Sequence, residues 1–212
     1  MNSIKHWFSP ETINTFSSQY NPQIQLIKFM GKYRLDMGGL TQSGPIIESI
    51  WSQSLKKLLP KEFLPKKTLI LGLGAGSVAK IIASRYPKTQ IVGVEIDPQV
   101  INIAQKYFAL DKIKNLKIIN QDALKYISGI KAKNAFDLIL IDCYLGSQTP
   151  SQLENINTLK KIKALSKHLL INRLFWDKHR HRTLNFLSSL NRLFITSSHR
   201  TSWNLVISIN NI

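Results

Sequence analysis

Thr68-Leu69-Ile70-Leu71-Gly72-Leu73-Gly74-Ala75-Gly76-Ser77, followed by Val92-Gly93-Val94-Glu95-Ile96-Asp97, is the stretch whose reading decides the fold. A short apolar run closed by turn residues marks a buried parallel strand, and Thr68 to Leu71 is such a run, ending in three alternate glycines. Glycine lets the backbone turn tightly and lets a ligand come close to the main chain. From Ser77 to Tyr86 the apolar residues Val78, Ile81 and Ile82 mark one face of a helix whose N-terminus points at whatever the glycines cradle. Glu95 ends the next strand, where an acid suits a pair of ribose hydroxyls. A strand-to-helix turn with no chemical role is the plain alternative for the glycines alone, and Glu95 in register with them weighs against it.

The glycine spacing narrows the ligand. Dinucleotide sites favour G-x-G-x-x-G, which seats a pyrophosphate on the helix end. Gly72, Gly74 and Gly76 instead give G-x-G-x-G, the spacing typical of S-adenosylmethionine sites.

Outward from this centre, strands and helices alternate. Asp97-Pro98 caps a helix running through Val100, Ile101, Ala104 and Phe108. Leu116 to Asn120 is a third strand, Asp122 opens a short helix to about Ile127, and Phe136 to Ile141 is a fourth strand stopping at Asp142-Cys143-Tyr144. Thr149 begins a long helical stretch to about Lys167, whose lysines read as a solvated face. A fifth strand over His168 to Phe175, a helix over Lys178 to Leu190 and a closing strand pair over Arg192 to Ser197 and Trp203 to Ile209 complete the pattern. This alternation predicts an α/β fold, a doubly wound, mostly parallel seven-stranded sheet. Upstream, residues 1 to 19 are irregular apart from a helix opening at Ser9-Pro10-Glu11. Ile24 to Phe29 and Tyr33 to Met37 flank a Gly31-Lys32 turn as a β-hairpin, and a helix runs from about Ile46 to Leu59. The expected division is a hairpin-and-helix appendage at 1–60 and the main domain at 61–212.

In an open parallel sheet, ligands bind outside the carboxyl ends of the strands. Gly72, Glu95, Asp122 and Asp142 all fall there and are expected to line one cleft. Asp142 and the adjoining Tyr144 are the catalytic candidates. Asp142 is a general base for a nucleophilic nitrogen or oxygen, the alternative being a loop anchor, and Tyr144 is either an acceptor-pocket wall or simple packing. Cys143 reads as a small apolar residue, since a neighbouring carboxylate raises a thiol pKa.

Twenty-nine lysines and arginines against twelve acids give a formal charge of +17, and 43% of the residues are apolar, enough for a sizeable core. Such a charge concentrates polyanions and repels polycations, which leaves nucleic acid open as a partner beside the alternative that the charge is composition alone. Lys178-His179-Arg180-His181-Arg182 is the densest basic run. Its His-x-His pair lacks the further ligands a metal site needs, so no metal is expected. The single cysteine excludes an intramolecular disulfide and, with no apolar run long enough to span a bilayer, points to a soluble cytoplasmic protein.

In order and spacing, these motifs resemble the spermidine synthase family, a branch of the S-adenosylmethionine-dependent methyltransferase fold. Leu35-Asp36-Met37-Gly38-Gly39-Leu40-Thr41-Gln42 is similar to the family's leucine-aspartate-glycine hairpin motif and glutamine. Trp51 stands where the family usually has tyrosine. Leu71 to Gly76, Glu95-Ile96-Asp97, Gln121-Asp122-Ala123 and Asp142 resemble its later motifs. The resemblance implies that Glu95 binds the ribose and Asp122 the adenine amino group of S-adenosylmethionine or its decarboxylated form, with Gln42 near the sulfonium arm. It also exposes two departures. The aspartate that holds the donor's amine in aminopropyl-transferring members is Ala75, and the second polyamine-binding acid is Leu145. An ammonium buried without partners is costly, so the expectation is methyl transfer to an unnamed acceptor, with aminopropyl transfer and a catalytically silent binding protein as the alternatives. The proline-rich signature of adenine and cytosine amino-methylases is missing after Asp142. A homodimer is left open.

Overall fold

The computed structural model describes residues 9–210. Its first unit is an antiparallel sheet of β1 (Glu11–Phe16), β2 (Ile24–Phe29), β3 (Lys32–Met37) and β4 (Leu40–Thr41), in that order. Met30 and Gly31, at φ 48° and 76°, form the two-residue turn between β2 and β3, the left-handed pair that a tight hairpin requires. Alternation along these strands buries Ile24, Leu26, Leu35 and Met37. The sequence reading anticipated only a hairpin here. Strand β1 replaces the expected irregular segment and helix opening, and its side chains are almost all exposed. An edge strand held by backbone pairing to β2 carries no apolar alternation to read. Residues 1–8 of that segment lie outside the described residues.

The main sheet has the order β10-β11-β9-β8-β5-β6-β7. Strands β5 (Lys67–Leu71), β6 (Gln90–Glu95), β7 (Leu116–Asn120), β8 (Phe136–Ile141) and β9 (Ser166–Leu174) are parallel, and β11 (Asn204–Asn210) runs against both β9 and β10 (Ile195–Arg200). Alternate residues face two cores: Ile70, Leu138, Leu170 and Val206 pack on one side, and Leu69, Ile139, Ile171 and Ile207 on the other. Helices α1 (Pro45–Leu58), α2 (Ser77–Arg85), α3 (Pro98–Phe108), α4 (Ala123–Ser128), α5 (Ile156–Ala164) and α6 (Asp177–Asn191) flank the sheet. The expected seven-stranded doubly wound architecture is present. The chain steps from β5 out to β7 on one side and then returns to β8 and β9 on the other, so the strand order reverses between β5 and β8, where such sheets bind ligands.

The long helix expected from Thr149 to Lys167 is broken. A 3-10 turn covers Ser151–Glu154, and Asn155 then caps α5 by accepting from the Asn157 and Thr158 amides. An asparagine side chain that competes for backbone donors favours such a restart over helix continuation. Nor do all the lysines there face solvent. Lys163 is buried and donates to the Ser166 and Lys167 carbonyls at 3.0 and 3.1 Å, and Lys167 lies in β9, paired to Asp137 at 2.7 Å.

One buried acid ties the N-terminal sheet to the main one. Asp97 caps α3 through the Gln99 amide at 2.9 Å and accepts from Ser18 Oγ at 2.5 Å and Asn21 Nδ2 at 2.8 Å. Asp97→Ala is expected to lower unfolding free energy by about 2–3 kcal/mol, combining cap loss with unpaired buried donors. Urea titration measures this, and a loss below about 0.5 kcal/mol would show that the acid does not fasten the two sheets.

Candidate active site

The glycine turn after β5 is built on left-handed backbone: Gly72, Gly74 and Gly76 have φ of 84°, 53° and 85°. The amides of Gly72 and Leu73 both donate to the Val94 carbonyl at 3.0 Å, which pulls the turn against the end of β6. There Glu95 accepts from the Gly74 amide at 2.8 Å through Oε2 and from the Asp97 amide at 3.1 Å through Oε1. Burial raises the Glu95 pKa above its ordinary value, with these backbone donors pulling the other way. The turn and Glu95 form one wall of a cavity of about 370 Å³ that Gln42, Asp122, Asp142 and Tyr144 also line. Of the expected residues, Gly72, Gly74, Glu95, Gln42, Asp122, Asp142 and Tyr144 meet at this cavity, while Gly76 does not line it and lies against the Leu110 side chain. Ala75 is buried in the core, whereas Leu145, nearly half exposed, also lines this cavity with an apolar side chain.

Each remaining candidate has a local tie. Asp122 caps α4, one carboxylate oxygen accepting from the Lys125 amide at 2.8 Å. Gln42 donates to the Gly146 carbonyl at 3.3 Å and stands between the first cavity and a second of about 360 Å³. Tyr144 donates its hydroxyl to the Asn172 carbonyl at 2.8 Å, and burial pushes its pKa well up, so it stays protonated and acts as a wall between the cavities. Burial, reinforced by Glu95 and Asp142, likewise keeps Cys143 a thiol.

Asp142 sits at the switch point, and it faces both cavities. Its amide is fixed to the Leu71 carbonyl at 2.8 Å. Trp51 Nε1 donates to Oδ2 at 2.8 Å, and Asn172 Nδ2 donates to Oδ1 at 2.9 Å. Asn204 Nδ2 in turn donates to Asn172 Oδ1 at 3.0 Å. Burial raises the Asp142 pKa, the two donors opposing the shift. A carboxylate poised in this way accepts a proton more readily than a free aspartate and is held at a fixed angle. Trp51, Asn172 and Asn204 were not singled out as partners of this acid in the sequence. A polar residue inside the apolar run of β9 was the available signal for Asn172.

The basic run is divided. Arg182 pairs with Glu154 at 2.6 Å, and Glu154 also holds the buried Arg173. Arg180 lies over the Phe175 ring at 5.6 Å, and the His179 ring packs on Trp176 at 4.9 Å. The Lys178 side chain lies outside the described residues. No helix among the described residues is long and apolar enough to cross a membrane.

Comparison with known proteins gives the family and the fold. The methyltransferase domain family matches residues 65–183, and the chain belongs to that family. Within the methyltransferase fold its sequence is similar to polyamine aminopropyltransferases. It is 38% identical over 103 residues, 48% of its length, to the polyamine aminopropyltransferase of Vibrio vulnificus, and the matched stretch spans about a third of that relative, 34%. The fold is similar to that of spermidine synthase from Thermotoga maritima, with a TM-score of 0.73 over 95% of this chain and 73% of the other at 18% identity. It is also similar to human methyltransferase-like protein 13 in complex with SAH, with a TM-score of 0.60 over 78% and 80% at 23% identity.

Proposed function

We propose that this chain is an S-adenosylmethionine-dependent transferase that moves a methyl group, with Asp142 as the base. The observation that carries the reading is the single carboxylate shared by two adjoining cavities, one of them bearing the glycine turn and Glu95. The first cavity suits the nucleoside. A Cβ on Gly74 would meet nothing nearer than the Gln42 carbonyl at 3.9 Å, so the turn is open toward the cleft. Glu95 would hold the ribose hydroxyls, Asp122 the adenine amino group, and Gln42 the arm carrying the sulfur. When bound, S-adenosylmethionine supplies a methyl carbon on a positively charged sulfur. The acceptor atom, entering from the second cavity, attacks that carbon with its lone pair and passes its proton to Asp142. Aminopropyl transfer is less well supported, because Asp142 is the only carboxylate among the described residues lining the second cavity and position 75 is alanine.

Calorimetry with S-adenosylmethionine and its decarboxylated form tests the reading. Glu95→Ala is expected to weaken binding by about 1.5–3 kcal/mol, the worth of hydrogen bonds to a charged group. Equal affinity in wild type and variant would remove Glu95 from the site. Incubation with both labelled donors separates the chemistries: label in spermidine would establish aminopropyl transfer, and binding with no transfer to any acceptor offered would leave a binding protein.

A further inference from the structure

The second cavity is walled for something flat and not for a polycation. Beyond the single acid, its walls include Trp176, Trp203 and Ile46, with Asn172 tied to Asp142 and Asn204 to Asn172 by their carboxamides. A polyamine requires a carboxylate near each ammonium it buries. At the mouth, Trp203 is 57% exposed, and the Phe175 amide donates to its carbonyl at 2.7 Å, bringing the end of β9 against the start of β11. The Phe175 ring carries two guanidinium groups, those of Arg180 at 5.6 Å and Arg200 at 5.3 Å. Neither arginine forms an ion pair among the described residues.

We propose that this cavity takes a single base of a single-stranded nucleic acid, stacked on Trp203 or Trp176, with Arg180 and Arg200 on the flanking phosphates, and that this base is the methyl acceptor. The inference rests on the reading of the first cavity as the donor site. Indole faces bind any base by stacking, and arginine pairs with phosphate through a planar fork. A primary amine on a flexible side chain would use neither the two indoles nor the two arginines that lack an ion pair among the described residues. The formal charge of +17 favours a polyanion over long range. With Asp142 as base, and without the proline-rich amino-methylase signature, the acceptor is a ring N–H. Its nitrogen bonds to the methyl carbon as the carbon–sulfur bond breaks, the electron pair stays on the sulfur, and the proton goes to Asp142.

Fluorescence anisotropy with labelled single-stranded oligouridine, and with duplex RNA of equal length, tests the binding without any donor present. Single strands are expected to bind more tightly than duplex. Trp203→Ala should weaken the single-strand complex roughly ten- to a hundred-fold, with Trp203→Phe retaining most of the affinity. Replacing Arg180 and Arg200 together by alanine should flatten the log–log salt dependence by about 1.4, at about 0.7 per phosphate. Labelled methyl from S-adenosylmethionine should then appear in the oligonucleotide. Equal binding of duplex and single strand that Trp203→Ala leaves unchanged would overturn the proposal, as would label entering lysine-bearing peptides and not the oligonucleotide. Calorimetry with S-adenosylhomocysteine on the same samples tells the two readings apart: nucleoside binding without oligonucleotide binding overturns this inference alone.

Discussion

Asp142→Asn is expected to slow methyl transfer by roughly a hundred- to ten-thousand-fold, the usual contribution of a positioned general base, while leaving nucleoside affinity near that of the wild type. Both carboxylate oxygens now accept a hydrogen bond, from Trp51 and Asn172. An amide at this position has one acceptor and one donor. It can keep the Trp51 bond only by turning its NH2 toward Asn172, whose own amide must then flip and release Asn204. The variant therefore carries a packing disturbance as well as a chemical loss, and thermal unfolding run beside the kinetics separates the two. The pH profile is the sharper readout. Because burial raises the Asp142 pKa above its ordinary 3.8, the low-pH limb of the wild-type rate should have its midpoint above the usual aspartate range, and Asp142→Asn should lack that limb. The same shift has a stability consequence of fixed sign. A carboxyl whose folded pKa is raised contributes stability that is fully present below the unfolded value of 3.8 and is lost as pH rises through the folded value. A wild-type limb that survives in the variant would assign the base elsewhere.

The parts of this site that were legible in the sequence are those in which one residue type answers one local demand. Three alternate glycines after an apolar run could only be a turn, and all three have positive φ. The runs Leu116–Asn120 and Phe136–Ile141 are strands at the expected boundaries because each is a short apolar block with polar or turn residues at both ends. Asp142 was legible as the residue that stops the most apolar strand. Its surroundings were not. Trp51 reads as one more apolar residue on the buried face of α1, since the bond from its indole N–H to Asp142 spans 91 residues of sequence and depends on how the helix lies across the sheet. Asn172 and Asn204 sit on neighbouring antiparallel strands in a register that no local pattern encodes. The exposed strand β1 was missed for the opposite reason: its backbone does the pairing and its side chains face solvent. The division of the basic run is also tertiary information, because Glu154, which neutralises Arg182, lies in the 3-10 turn that precedes α5.

Gly72→Ala is expected to be the most damaging single-methyl change at the site, lowering unfolding free energy by about 2–5 kcal/mol. Two effects add. At φ 84° an L side chain is strained, which costs about 1–2 kcal/mol. A Cβ there would also lie 2.5 Å from the Asp142 carbonyl oxygen and 2.9 Å from the Cys143 nitrogen, an overpacking worth about 1–3 kcal/mol more. These obstacles are backbone atoms, so no rotamer change relieves them. The chain after β5 and the chain after β8 must separate, and with them the glycine turn and the carboxylate of Asp142. Gly74→Ala isolates the first effect. Its φ is 53°, and the nearest atom to a Cβ is the Gln42 carbonyl at 3.9 Å, so only the conformational cost of about 1–2 kcal/mol applies. That variant should unfold at a urea concentration between those of the wild type and Gly72→Ala. Equal losses in the two variants would mean that the crossing of the two strand ends is not tight, and that Asp142 owes its position to Trp51 and Asn172 and not to the close approach at Gly72.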